Sequence, residues 1–106
     1  MTETYKTYEI EFPNGAYYYG YTQKLLTQRL DRHVSAQYYK EGRSVSAYLA
    51  AHGWNQDDVV IRLLGRFATK HEAEHSEAGR IHSDWYNPKM INRVIRLYRP
   101  KHMLSD

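Results

Sequence analysis

Three stretches of this chain carry reactive side chains at spacings that a helix or strand would gather onto one surface. Tyr17 to Tyr21 reads Tyr-Tyr-Tyr-Gly-Tyr. It leads into a segment where Arg29 and His33 fall four residues apart and so share one helical face. A guanidinium is a planar fork of donors that grips two oxygens of an anion at once. A histidine one turn away can bind the same anion or relay a proton near neutral pH. Downstream, Glu72, Glu74 and Glu77 crowd a third stretch, and a single carboxylate suffices to anchor a magnesium-sized cation whose other positions are filled by water and substrate oxygens. The same stretch spells His71-Glu72-Ala73-Glu74-His75, the HExxH order of zinc proteases, with two histidines on one helical face. The extended form of that motif wants glycine three and histidine six residues after the second ligand. Gly79 and His82 come four and seven after His75, which rotates the third imidazole away.

These residues need elements to position them. Residues 4–12 alternate as a strand, and Pro13-Asn14-Gly15 suits a three-residue hairpin loop: proline and asparagine in the turn, then glycine at the left-handed bulge. That loop pairs Phe12 with Ala16, Ile10 with Tyr18 and Tyr8 with Gly20, placing Tyr8, Ile10 and Tyr18 on one face. A two-residue loop would slip the register by one and send Tyr18 to the other face. Thr22 is the expected cap of a helix running from about Lys24 to Tyr39, with Leu26, Leu30, Val34 and Tyr38 (or Gln37) as its buried stripe. A second helix is expected from near Ser44 to Gly53, burying Val45, Tyr48, Leu49 and His52. Residues 59–67 are β-branched and nearly continuous in apolar content, a third strand. Thr69-Lys70-His71-Glu72 is a capping box, so a third helix should start at Lys70 and reach about Trp85 before Asn87-Pro88. Met90, Ile91, Val94, Ile95 and Tyr98 sit at helical spacing and suggest a short fourth helix. The expected fold class is α+β: a small three-stranded, mainly antiparallel sheet flanked by three to four helices, in one domain spanning 1–106.

Composition narrows the classes. At 106 residues there is room for one core and not for two. The absence of cysteine removes disulfides, thiolate zinc sites and cysteine nucleophiles, and suits a reducing, cytoplasmic compartment. No apolar run is long enough to span a membrane, and the first residues do not resemble a signal peptide. A net charge of +3 suits a polyanionic partner. Eleven tyrosines against two phenylalanines favour polar-tipped aromatic surfaces such as grooves and interfaces.

The ordered set of motifs resembles the GIY-YIG nuclease superfamily. The second tyrosine motif corresponds to Tyr18-Tyr19-Gly20, followed by Tyr21-Thr22, then Arg29 and His33. Glu72-Ala73-Glu74-His75-Ser76-Glu77 is similar to the family's EAxxxE helix, Asn92 to an asparagine that often follows it, and Ala51-His52-Gly53-Trp54 to a common middle segment. The resemblance runs from about Thr4 to Asn92. The chain departs from the family at the first motif, where Lys6-Thr7-Tyr8 stands for Gly-Ile-Tyr and Tyr5 competes with Tyr8.

The resemblance implies an endonuclease that hydrolyses phosphodiester bonds in DNA with Mg2+ (or Mn2+). Glu77 would hold the ion, and Arg29 would brace the phosphate. His33 would bind phosphate or relay a proton, Tyr8 would position the water or take its proton, and Tyr18 would hold the phosphate or orient Tyr8. Candidate DNA contacts are Lys24, Arg32, Lys40, Arg43 and Asn92, with Arg66 and the basic run Arg93, Arg96, Arg99 and Lys101 behind them. A domain this small would need a homodimer or a partner protein to cut both strands or read a long site. Two other outcomes stay open at this level: zinc proteolysis through His71 and His75, and a nucleic-acid-binding module without catalysis.

Overall fold

The computed structural model describes residues 4–34 and 44–93, without the side chains of residues 32–34 and 44. The hairpin comprises β1 (Tyr5–Glu11) and β2 (Tyr17–Thr22), followed by helix α1 (Leu26–Val34). Helix α2 (Ser44–His52), strand β3 (Val60–Phe67) and helix α3 (Lys70–Ser83) complete the regular elements among the described residues, with 3-10 turns at Gln56–Asp58 and Ile91–Arg93. The sheet order is β2-β1-β3, antiparallel throughout. This is the α+β class expected, with three helices and a three-stranded sheet among the described residues.

The turn sets the register. Gly15 takes a φ of +86°, the left-handed conformation that closes a three-residue loop without a Cβ penalty. The backbone N–H of Phe12 donates to the carbonyl of Ala16 at 2.9 Å. Ile10 then faces Tyr18 and Tyr8 faces Gly20, as the loop chemistry predicts. Asn14 also works beyond the turn: its Oδ1 accepts from the N–H of Ala16, and its amide donates to the Tyr48 hydroxyl at 3.1 Å.

Tyr8 and Ile10 on one face of β1, with Phe12 just beyond its end, form the centre of the core, with Leu30 of α1, Val45, Tyr48 and Leu49 of α2, and Ile91. Phe12 meets Tyr48 edge-on and stacks on Trp54. His52, expected inside, is exposed. Its ring lies flat on Trp54 at 4.3 Å and so closes the rim of the core rather than entering it.

Two helix boundaries are corrected, and the third strand is present as expected. Thr22 ends β2, and its hydroxyl accepts from the N–H of Lys24 at 3.0 Å. That turn delays the helix, which begins at Leu26 with Gln28 Oε1 reaching back to the N–H of Leu25. β3 is an edge strand whose Val60 and Leu63 are exposed, so its apolar content marks strand propensity more than burial. α3 stops at Ser83 because the N–H of the Asp84 cap turns back to the carbonyls of Arg80 and His82. Val34's side chain, Tyr38 and the suggested helix beyond Arg93 lie outside what is described. Among the described residues, no helix is long and apolar enough to cross a membrane.

Candidate active site

The register decides what the hairpin presents. Side chains alternate across the pleat, so Tyr8, Ile10 and Tyr18 face the core and α1, whereas Tyr17, Tyr19 and Tyr21 face the other way. Tyr8 is fully buried and lies over Gly20, where any Cβ would collide with its hydroxyl and Cζ. Beside it, β3 carries a register shift that leaves Leu64 unpaired between Gly65 and Leu63, a bulge opposite Thr7 and Tyr8.

From α1, Arg29 donates its Nε–H to the Tyr8 hydroxyl at 3.0 Å. Burial drives the Tyr8 phenol above its ordinary 10. The Arg29 charge and hydrogen bond pull it down, and Glu77 adds to the rise. Tyr18 is raised for the same leading reason, burial, with Tyr8 and Glu77 adding to it and Arg29 opposing. Both phenols therefore stay protonated at neutral pH, fit to orient a hydrogen-bonded group and ill suited to take a proton unaided.

α3 supplies the carboxylate, and its three glutamates are separated by what each one does. Glu72 closes the capping box: its Oε1 accepts from the N–H and hydroxyl of Thr69, whose own oxygen accepts from the N–H of Glu72. Glu74 is exposed and accepts the Tyr21 hydroxyl at 2.9 Å. Glu77 is partly buried, and its charge reaches Tyr8, Tyr18 and Tyr21. Burial and the neighbouring Glu74 push its carboxyl up to about 7, with Arg29 pulling the other way. A cation bound there would relieve both causes of that rise.

Oxygen donors of this kind suit a hard divalent ion. Among the described residues, no three His, Cys, Asp or Glu side chains gather to hold a metal ion. A cation at Glu77 would take one protein carboxylate and complete its shell with water and phosphate oxygens. The HExxH residues fit zinc poorly. His71 and His75 are exposed with ring centroids 6.5 Å apart, and the glutamate that would act as base is engaged at the helix cap.

Asn92 does something the sequence does not announce. Its amide oxygen accepts from the N–H of Tyr19 and its amide nitrogen donates to the carbonyl of Tyr19, both at 2.7 Å. It thereby acts as a strand partner for the outer edge of β2, next to the Tyr17–Met90 bridge. Asp84 is a residue that sequence reasoning missed: its Oδ2 accepts from the hydroxyls of both Tyr17 and Tyr19. Only their separation of more than 60 residues hid these contacts, since nothing local marks either residue. Lys24 and Arg66 are exposed cations. The side chains of Arg32 and His33, and all of Lys40 and Arg43, lie outside the described residues, as do Arg96, Arg99 and Lys101.

Among families, the GIY-YIG catalytic domain matches residues 4–92, most of the chain. No curated protein and no solved structure matches it.

Proposed function

The chain belongs to the GIY-YIG family of endonucleases, and from that premise we propose that it hydrolyses phosphodiester bonds in DNA with one divalent cation at Glu77, magnesium or manganese. The observation that carries this reading is the meeting of elements far apart in sequence. Arg29 of α1 holds Tyr8 of β1, the charge of Glu77 on α3 reaches Tyr8, and the charge of Arg29 reaches Glu77.

In this reading Arg29 keeps its Nε on Tyr8 and turns the rest of its fork to the scissile phosphate. Tyr8 and Tyr18, held as phenols, orient the attacking water and a phosphate oxygen. His33, one turn beyond Arg29, binds phosphate or passes a proton. When bound, the cation acts as a Lewis acid and stabilises the leaving oxygen. Lys24, Arg32, Lys40, Arg43 and Arg66 carry the backbone contacts, which are salt-dependent and tolerant of sequence. Asn92, with its amide committed to Tyr19, holds β2 in place and is not one of these contacts. A second copy or a partner protein would supply the second cut or a longer site.

The decisive test is plasmid nicking with and without magnesium, beside Glu77→Ala and His71→Ala. The reading expects nicking that needs the metal, vanishes with the first substitution and survives the second. Casein cleavage lost on His71→Ala and on zinc chelation would overturn it in favour of proteolysis. DNA binding without cutting under any metal would reduce the chain to a binding module.

A further inference from the structure

Gly79 sits inside α3 with no packing reason to be glycine. Its φ is not in the left-handed region, and a Cβ built on it meets no atom within 4 Å. Alanine would fit and would favour the helix, since a glycine in a helix interior costs stability. What Gly79 does border is a groove of about 440 Å³ between α3 and the Tyr19 side of the hairpin. The groove carries two basic side chains, His75 and Arg80, and two hydroxyls, Ser76 and Ser83. Tyr19 and Asp84 complete its lining. The Asp84 carboxylate already accepts two phenolic hydroxyls, at 2.7 and 2.9 Å, so its Oδ2 is turned to the hairpin tyrosines.

We infer that this groove is a phosphodiester subsite: the backbone of the substrate strand, next to the scissile bond, lies along α3 with a phosphate on Arg80. The inference rests on the nuclease reading and extends it to one location. Ser76 and Arg80 flank Glu77, one residue before and three after, so they border the helix face that holds the carboxylate. A nucleotide adjoining the one being cut is therefore the substrate part within reach. The phosphate meets the guanidinium fork, His75 and the serine hydroxyls. The missing side chain at Gly79 lets the strand approach the helix backbone closely. A polyanion is favoured over an apolar occupant because the Arg80 guanidinium, an imidazole and hydroxyls, not aliphatic side chains, line the space beside Asp84.

The test uses the full chain with Glu77→Gln, so that DNA is bound and not cut, and a fluorescent duplex oligonucleotide titrated at several salt concentrations. Gly79→Ala should raise Tm and yet weaken DNA binding several-fold, two effects that a glycine kept only for the fold cannot produce together. Arg80→Gln should weaken binding and reduce the salt slope by about 1. Unchanged binding in both variants overturns the subsite, as does a lower Tm for Gly79→Ala, which would mean that packing requires the glycine. Should the wild type nick plasmid with magnesium while both variants bind like their parent, the subsite falls and the nuclease reading stands. A wild type that neither binds nor nicks DNA sinks both.

Discussion

The ring of Tyr8 fills the space beside Gly20 that a side chain would need, so the two residues form an interlocked cross-strand pair. Tyr8 is fully buried and cannot swing away. Gly20→Ala should therefore destabilise the fold by about 1–3 kcal/mol, the usual range for overpacking a core. It should also impair nicking at temperatures where the variant is still folded, because the displaced phenol leaves Arg29. Urea unfolding beside a nicking assay measures both, and wild-type values in each would show that the ring has room to move.

Arg29 donates its Nε–H to Tyr8, and the proposed function puts the rest of its fork on substrate. Lysine keeps the charge and loses the fork, so Arg29→Lys should not rescue activity. Both Arg29→Ala and Arg29→Lys should cut the nicking rate by on the order of a hundred- to a thousand-fold. DNA affinity, which the proposed function spreads over many phosphate contacts, should change far less. A lysine variant with near wild-type turnover would remove the bidentate role.

Glu77 gives the protein a pH signature. Its carboxyl stands at about 7 in the fold against an ordinary 4.5, so the ionised form is disfavoured by folding. A raised carboxylate contributes stability below pH 4.5 that is progressively lost as pH climbs to about 7. Without metal, Glu77→Gln should therefore melt above the wild type at pH 8 and close to it at pH 4. Added magnesium should raise the wild-type Tm at pH 8 and leave the variant unmoved if, as proposed, the cation binds the ionised carboxylate. At low magnesium the acid limb of the nicking profile should centre near pH 7, and more magnesium should move it to lower pH. A limb insensitive to magnesium would detach Glu77 from the cation.

Asn92 gives β2 two hydrogen bonds on its outer edge. Each is worth about 0.5–1.5 kcal/mol, so Asn92→Ala should lower stability by roughly 1–3 kcal/mol. DNA affinity of the folded variant should stay as it was. A loss of affinity at unchanged Tm would instead make Asn92 a DNA contact.

The cap of α3 separates the two motif readings. Thr69→Ala removes the acceptor for the N–H of Glu72 and should cost about 1 kcal/mol. Nicking at permissive temperature should persist, since Glu72 serves the helix start and not the reaction.

Legibility followed the range of the interactions. Pro13-Asn14-Gly15 sets a register through neighbouring backbone angles, so the shared face of Tyr8 and Tyr18 could be read in advance. Thr69 and Glu72, three residues apart, announced a helix start that is present. Thr22 misled because a threonine hydroxyl caps helices and tight turns alike, and only the following residues decide which. The continuous apolar run of β3 likewise could not say that the strand would lie at an edge.

Local chemistry in the sequence determined the hairpin, the helix that carries Arg29 and the acidic helix that follows β3. The resemblance pointed to Glu77, but only tertiary structure separated the three glutamates physically, because Glu72, Glu74 and Glu77 differ in burial and partners and hardly at all in type. It also turned Asn92 into a strand partner and left open the groove beside Gly79. Those outcomes depend on contacts between residues dozens of positions apart, and such contacts exist only once the core of Tyr8, Ile10 and Phe12 has closed.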